Sequence, residues 1–226
     1  MLHFNFFTIT FIALITYQPS FSQNKNMKLL FLGDSYTVGE SVKKEESYPY
    51  LLINELKVKG HNVSESKIIA TTGWTTSDLM NAIAGEEDLR GYDATFLLIG
   101  VNNQYQHKPI TLYEKEFKLL LNSAISFTNF KSGKVFVISI PDYGFTPHSY
   151  AKQPEISKEL DQYNLINKRL SEESEVNYVN ITPVSREGLK NPKLVSADTL
   201  HPSGQQYKLW VREILPVLLK VIEQSH

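Results

Sequence analysis

Cysteine is absent from all 226 residues. That absence excludes a disulfide framework, a thiolate-ligated zinc site, a lipid-anchored cysteine and a cysteine nucleophile together. An excess of either charge is lacking too: 23 Lys and Arg stand against 24 Asp and Glu, a formal net charge of −1. So even a balance gives no general attraction to nucleic acid. Long polar tracts are missing as well. With 42% hydrophobic and 21% charged residues, the chain is not a disordered one. No internal repeat, low-complexity run or linker divides it. Its length suits one domain, large enough to bury about 70% of the surface of the unfolded chain. The six histidines are scattered and show no paired ligand spacing for a metal.

Residues 1–22 lack Asp, Glu, Lys and Arg altogether. Phe6 to Tyr17 is nearly continuous apolar or β-branched sequence. It is shorter than the about 20 residues of a membrane span. Small residues at Ser20 and Ser22 fit the small-x-small rule of signal peptidase. Cleavage is therefore expected before Gln23. The n-region departs from the pattern, because only the α-amino group supplies positive charge there. Residues 1–22 thus read as an export signal and 23–226 as one domain, periplasmic or secreted.

Beyond Asn26, strands and helices alternate. Strands are predicted at Lys28 to Leu32, Val63 to Ala70, Ala94 to Ile99, Lys134 to Ile140 and Val176 to Ile181. Helices are predicted at Glu46 to Lys59, Thr76 to Ala84, Leu112 to Phe130, Glu155 to Glu172 and Ser203 to Gln224. Gly60, Gly85 and Gly133 stand where three of them should stop. Ser203 to Gln206 has the spacing of a capping box. This alternation implies a five-stranded parallel sheet in a three-layer α/β/α sandwich. In such a sheet, reactive groups gather outside the carboxyl ends of the strands.

Those ends carry Gly33-Asp34-Ser35-Tyr36, Thr72-Gly73-Trp74, Gly100-Val101-Asn102-Asn103 and Pro141-Asp142-Tyr143-Gly144. The last long loop carries Asp198-Thr199-Leu200-His201. A serine hydroxyl, a glycine N–H, an asparagine amide and an Asp/His pair are the groups that acyl transfer needs.

In these blocks, in their order and in their placement after strands, residues 28 to about 222 resemble the SGNH, or GDSL, hydrolases. The resemblance implies a flavodoxin-like fold and hydrolysis of esters or thioesters. Two positions depart from the family pattern. Tyr36 stands where Leu is usual, and Asn103 replaces the Asp of the third block.

The chemistry gives each residue a reason. Serine is a weak nucleophile at neutral pH and needs a base in reach. His201 is the natural base for Ser35. Asp198, three residues earlier, can accept the His201 Nδ1–H and leave Nε2 facing Ser35. The resemblance assigns the oxyanion to the backbone N–H groups of Ser35 and Gly73 and to the amide of Asn102. Asp34 is expected to cap the next helix rather than act as base. His148 is the rival base, but no carboxylate stands near it in sequence. Tyr36, Trp74, Tyr105, Tyr143 and Phe145 all follow strand ends and are candidate pocket walls.

The leading expectation is a serine esterase, lysophospholipase- or arylesterase-like, acting on a small to medium ester. Its partner is a small-molecule ester, with no nucleic acid, no cofactor and, after cleavage, no membrane span. Glycan O-deacetylation and acyl transfer would use the same site. A catalytically weak binding module on this fold is a further alternative. A flavin or phosphate site at the first turn fits poorly, since Gly33 and Gly39 form no tight glycine cluster. The export reading predicts that secreted material begins at Gln23. Intact mass measures this, and a retained Met1 would exclude cleavage.

Overall fold

The computed structural model describes Met1 and residues 26–224. The expected export signal, from residue 2 onward, lies outside the described residues. The first half of the domain runs β1 (Met27–Gly33), α1 (Ser35–Val38), α2 (Tyr48–Val58), β2 (Val63–Ala70), α3 (Thr76–Ala84) and β3 (Ala94–Leu98). The second half runs α4 (Val101–Tyr105), α5 (Ile110–Phe127), β4 (Val135–Ile138), α6 (Gln153–Glu173), β5 (Asn177–Val179), α7 (Thr182–Ser185) and α8 (Gly204–Glu223).

All strand pairs are parallel, in the order β2-β1-β3-β4-β5. The expected five-stranded α/β/α sandwich is therefore the observed fold. The chain goes from β1 out to β2, then crosses back over β1 to β3. The crevice at this reversal opens between the carboxyl ends of β1 and β3, where Ser35 and Asn102 follow.

Both faces of the sheet are covered, which is why β3 and β4 are apolar almost throughout. On one face, Phe31, Phe96 and Phe136 occupy paired positions on β1, β3 and β4. Their rings stack at centroid spacings of 4.8 and 5.0 Å. Tyr48 of α2 meets Phe31 edge-on, and Tyr207 and Trp210 of α8 close that layer. On the other face, Tyr113 of α5 packs on Tyr163 of α6. Among the described residues no helix is long and apolar enough to cross a membrane.

Several boundaries differ from the sequence reading, each for a local reason. The helix expected to reach Phe130 stops at Phe127. The Thr128 hydroxyl bonds the carbonyls of Ile125 and Lys131 instead, and Asn129 and Phe130 turn to positive φ. The fourth strand ends at Ile138, because the Ile140 N–H and C=O both bond the side-chain amide of Asn164. Ser203 caps α8 through the Gln206 N–H, but no reciprocal bond forms. The Gln206 side chain donates to Leu194 O instead. The short helices α1, α4 and α7 are too brief for periodicity to reveal.

Gly100 joins β3 to α4 at φ +128°, a region that L side chains rarely adopt. A Cβ there would lie 2.5 Å from the Tyr113 ring and 2.9 Å from Ile140. Gly100→Ala is expected to lose about 3 kcal/mol or more of stability. Urea denaturation measures it, and wild-type stability would contradict the packing described here.

Candidate active site

The nucleophile end of the site is built by Asp34 and Ser35. Asp34 is fully buried and is the N-cap of α1, its Oδ1 accepting the Tyr36 N–H at 3.0 Å. This is the structural role expected for it. Its Oδ2 has no hydrogen-bond donor among the described residues. Burial therefore pushes the Asp34 carboxyl up to about 7, the Tyr36 N–H opposing this only in part. The Ser35 hydroxyl is held in place by α1, one residue past the cap.

His201 arrives from the other end of the chain. Ser35 Oγ lies 3.1 Å from His201 Nε2, and His201 Nδ1 lies 2.6 Å from Asp198 Oδ2. With Nδ1–H donating to the carboxylate, Nε2 is left to accept from the serine. Tyr36 is buried with its ring edge-on to His201, at a centroid distance of 5.8 Å. It is the floor under the imidazole rather than a broad pocket wall. The space it borders with Pro141, Tyr143, Leu200 and Pro202 is only about 10 Å³.

Asp198 explains the Asp-x-x-His spacing. Its Oδ1 accepts the backbone N–H groups of Leu200 and His201, both at 2.9 Å, closing a turn through Thr199 at φ +65°. Ser196 donates to the same oxygen at 2.7 Å, and Ser41 donates to Oδ2 at 2.5 Å. Partial burial opposes the charge, but the hydrogen bonds from Ser41, Leu200, Ser196 and His201 outweigh it. They hold the carboxyl well below the usual carboxylate range. Asp198 thus faces His201 as a carboxylate at neutral pH. Sequence reasoning missed both serines. Ser196 sits two residues before Asp198, a spacing that could have suggested a turn; Ser41 lies 157 residues away and left no signal.

Unengaged donors stand at the ends of the three adjacent strands β2, β1 and β3. Among the described residues nothing accepts from the Ser35 or Gly73 N–H. Gly73 sits at φ +85°, and Gln106 Nε2 donates to its carbonyl at 3.3 Å. Asn102 Nδ2 donates one hydrogen to Trp74 O at 2.9 Å, which fixes the amide and leaves its second hydrogen free. Three donors at these places suit an oxyanion. Trp74 contributes here through its carbonyl, while its half-buried ring packs against the core.

Asn103 is buried. Its Oδ1 accepts the Thr76 N–H at 3.0 Å and its Nδ2 donates to Thr76 Oγ1 at 2.7 Å. Thr76 and Ser77 then both donate to Glu116 of α5. An aspartate at 103 could accept from Thr76 but not donate to it, and it would bring a second carboxylate up to Glu116. The departure from the family pattern thus leaves α4 docked on α3.

A groove of about 680 Å³ is lined by Tyr105, Tyr143, His148, Lys152, Glu155 and Glu159 among others. Its walls come from α4, which carries Asn102, and from the segment in which the His148 N–H donates to Thr199 O. Tyr105 is 57% exposed and meets Tyr143 edge-on at 6.0 Å. The Tyr143 hydroxyl donates to Gln104, which donates to Glu159. Phe145 does not line this groove. In the 3-10 turn Tyr143–Phe145 side chains two apart point in different directions, and Phe145 lies 5.9 Å from the Arg186 guanidinium instead. The exposed His148 ring bonds no carboxylate among the described residues. Nor do three His, Asp or Glu side chains stand together there as a metal site.

A doubly wound sheet bearing a Ser-His-Asp relay beside free N–H donors defines an ester-cleaving hydrolase. Residues 31–209 match the GDSL-like lipase/acylhydrolase family, and the chain belongs to it. Solved structures share the fold. A psychrotrophic esterase from Pseudoalteromonas sp. aligns with a TM-score of 0.66 at 15% identity, over 88% of this chain and 100% of that one. An acetylxylan esterase from Geobacillus stearothermophilus aligns at 0.64 and 21% identity, over 85% and 94%. TesA aligns at 0.67 and 14% identity, over 86% and 99%. Comparison with curated protein sequences finds no match.

The raised Asp34 carboxyl makes a sign-definite prediction. The native state holds a proton there that the unfolded state releases near the ordinary aspartate value of 3.8. Its contribution is therefore fully present below about 4 and is lost as pH rises to about 7. Asp34→Asn keeps the cap and removes this dependence. Melting temperatures of the two proteins should diverge from pH 4 to 7, the variant becoming the more stable. Parallel curves would contradict it.

Proposed function

We propose that the chain is a serine esterase that cleaves a small to medium carboxylic ester through an acyl-Ser35 intermediate. The observation that carries this is the unbroken relay from the Ser35 hydroxyl through His201 to Asp198. His201 Nε2 takes the serine proton as Oγ attacks the carbonyl carbon. The resulting oxyanion receives the Ser35 and Gly73 N–H groups and the free Asn102 amide hydrogen. On collapse the C–O bond to the leaving group breaks, and His201 returns its proton to that oxygen. Water, deprotonated by the same imidazole, then releases the carboxylic acid and restores Ser35.

In this reading the leaving group occupies the groove beside Tyr105. Its exposed ring suits an aryl or sugar group. The polar lining, with His148, Lys152 and Glu155, favours a second reading, O-deacetylation of a glycan. The acetylxylan esterase among the structural neighbours is compatible with it. An alcohol bound in the groove would compete with water and make the same site an acyltransferase. Export through residues 1–22 belongs to this proposal.

Ser35→Ala and His201→Ala should each lower kcat on p-nitrophenyl esters about 10⁴-fold or more. Asn102→Ala should lose about 10²–10³-fold. His148→Ala should stay within about threefold, since nothing orients it as a base. Steady-state kinetics on esters of increasing chain length, against acetylated sugars, separates the two substrate readings. A wild type without turnover on any activated ester would overturn the enzyme assignment, and an active His201→Ala would overturn the base.

A further inference from the structure

The segment after the nucleophile's helix, Gly39 to Lys43, has no part in the chemistry just described. Yet it touches both limbs of the site. Ser41 donates to Asp198, and the adjacent Glu40 accepts from the Thr72 hydroxyl, next to Gly73. The segment is also tied to the nucleophile, because the Ser35 carbonyl accepts the N–H groups of Gly39 and Glu40, both at 3.0 Å.

The bond from Ser41 differs in kind from the others on Asp198. The donors Ser196, Leu200 and both His201 N–H groups all lie within residues 196–201. They shape the turn but say nothing of where Ser35 is. Ser41 is the donor among the described residues that comes from elsewhere in the chain. It uses Oδ2, the same oxygen that accepts the His201 Nδ1–H. The Asp198 side chain is 31% exposed, so water competes for this carboxylate. Burial alone does not orient it, and Ser41 adds a second tether on Oδ2.

Ser41 also adopts φ +65°, a left-handed conformation that costs a serine energy. Such a conformation persists only where its surroundings hold it.

We propose that Ser41 is a positioning residue that locks the Asp198 carboxylate, and through it His201, onto Ser35. Glu40 braces the same segment against the turn carrying Gly73. The base and the oxyanion donors are thereby referenced to one dipeptide. This rests on the esterase reading of Ser35.

Two variants of the full chain separate hydroxyl from backbone. Ser41→Ala removes the hydroxyl and keeps the strained φ; Ser41→Gly removes the hydroxyl and suits that φ. Both should lose about 10- to 100-fold in kcat on p-nitrophenyl acetate, with KM within about twofold. Both should weaken or shift the far-downfield imidazole N–H resonance of the His201–Asp198 bond. Ser41→Gly should melt above Ser41→Ala, since both lack the hydroxyl and only glycine suits the φ. Thr72→Val should lose about threefold in kcat, as the Gly73 turn loosens. Wild-type kcat and an unchanged resonance in either Ser41 variant overturn the proposal. So does a loss confined to Ser41→Ala, which would be backbone strain alone. Wild-type kcat in Thr72→Val overturns the part given to Glu40. If the wild type neither turns over esters nor takes an activated phosphonate on Ser35, the esterase reading fails instead. The resonance then still decides for or against Ser41.

Discussion

Five donors converge on the Asp198 carboxylate, and the position of His201 depends on them. A half-exposed loop has little hydrophobic contact to hold it still. Hydrogen bonds to a charged acceptor are about twice as strong as neutral ones, and several on one carboxylate fix both its place and its charge. Asp198 therefore does two things at once. It closes its own turn through Oδ1, and through Oδ2 it sets the tautomer and direction of the imidazole. Ser35 needs only to stand at the other end.

What puts Ser35 there is the parallel sheet. Parallel strands all point one way, so every strand end with its following loop opens on the same edge. The reversal between β1 and β3 leaves a crevice at that edge. Ser35, Gly73 and Asn102 lie after the three neighbouring strands around it. The first N–H groups of a helix such as α1 have no acceptor inside the helix. That deficit, unfavourable in a core, is useful where a negative charge must develop.

Much of this was legible in residue order. The period of the apolar positions separated strands from helices, and glycines or caps marked the turns. β2 and α3 appear with the bounds that their patterns predicted. The Gly33-Asp34-Ser35, Gly73, Gly100-x-Asn102 and Asp198-x-x-His201 blocks stood out because each needs a particular residue type at a strand end. Less legible were features decided by side chains taking over backbone bonds. Thr128 ended α5 early, Asn164 drew Ile140 from the ladder, and Gln206 bonded Leu194 instead of completing its capping box. Phe145 read as a pocket wall because its place after β4 was right, but the direction of its side chain was set by a tight turn.

Sequence alone determined the fold class, the candidate nucleophile and base, and the absence of any thiol chemistry, because these follow from local pattern and composition. Tertiary structure decided how far apart those groups stand and what holds them. Ser41 reaches Asp198 across most of the chain, Trp74 orients Asn102 through a carbonyl, and Asn103 joins two helices through Thr76. None of these pairings has a spacing, since a contact between distant segments is made by the path of the backbone and leaves no period in the sequence.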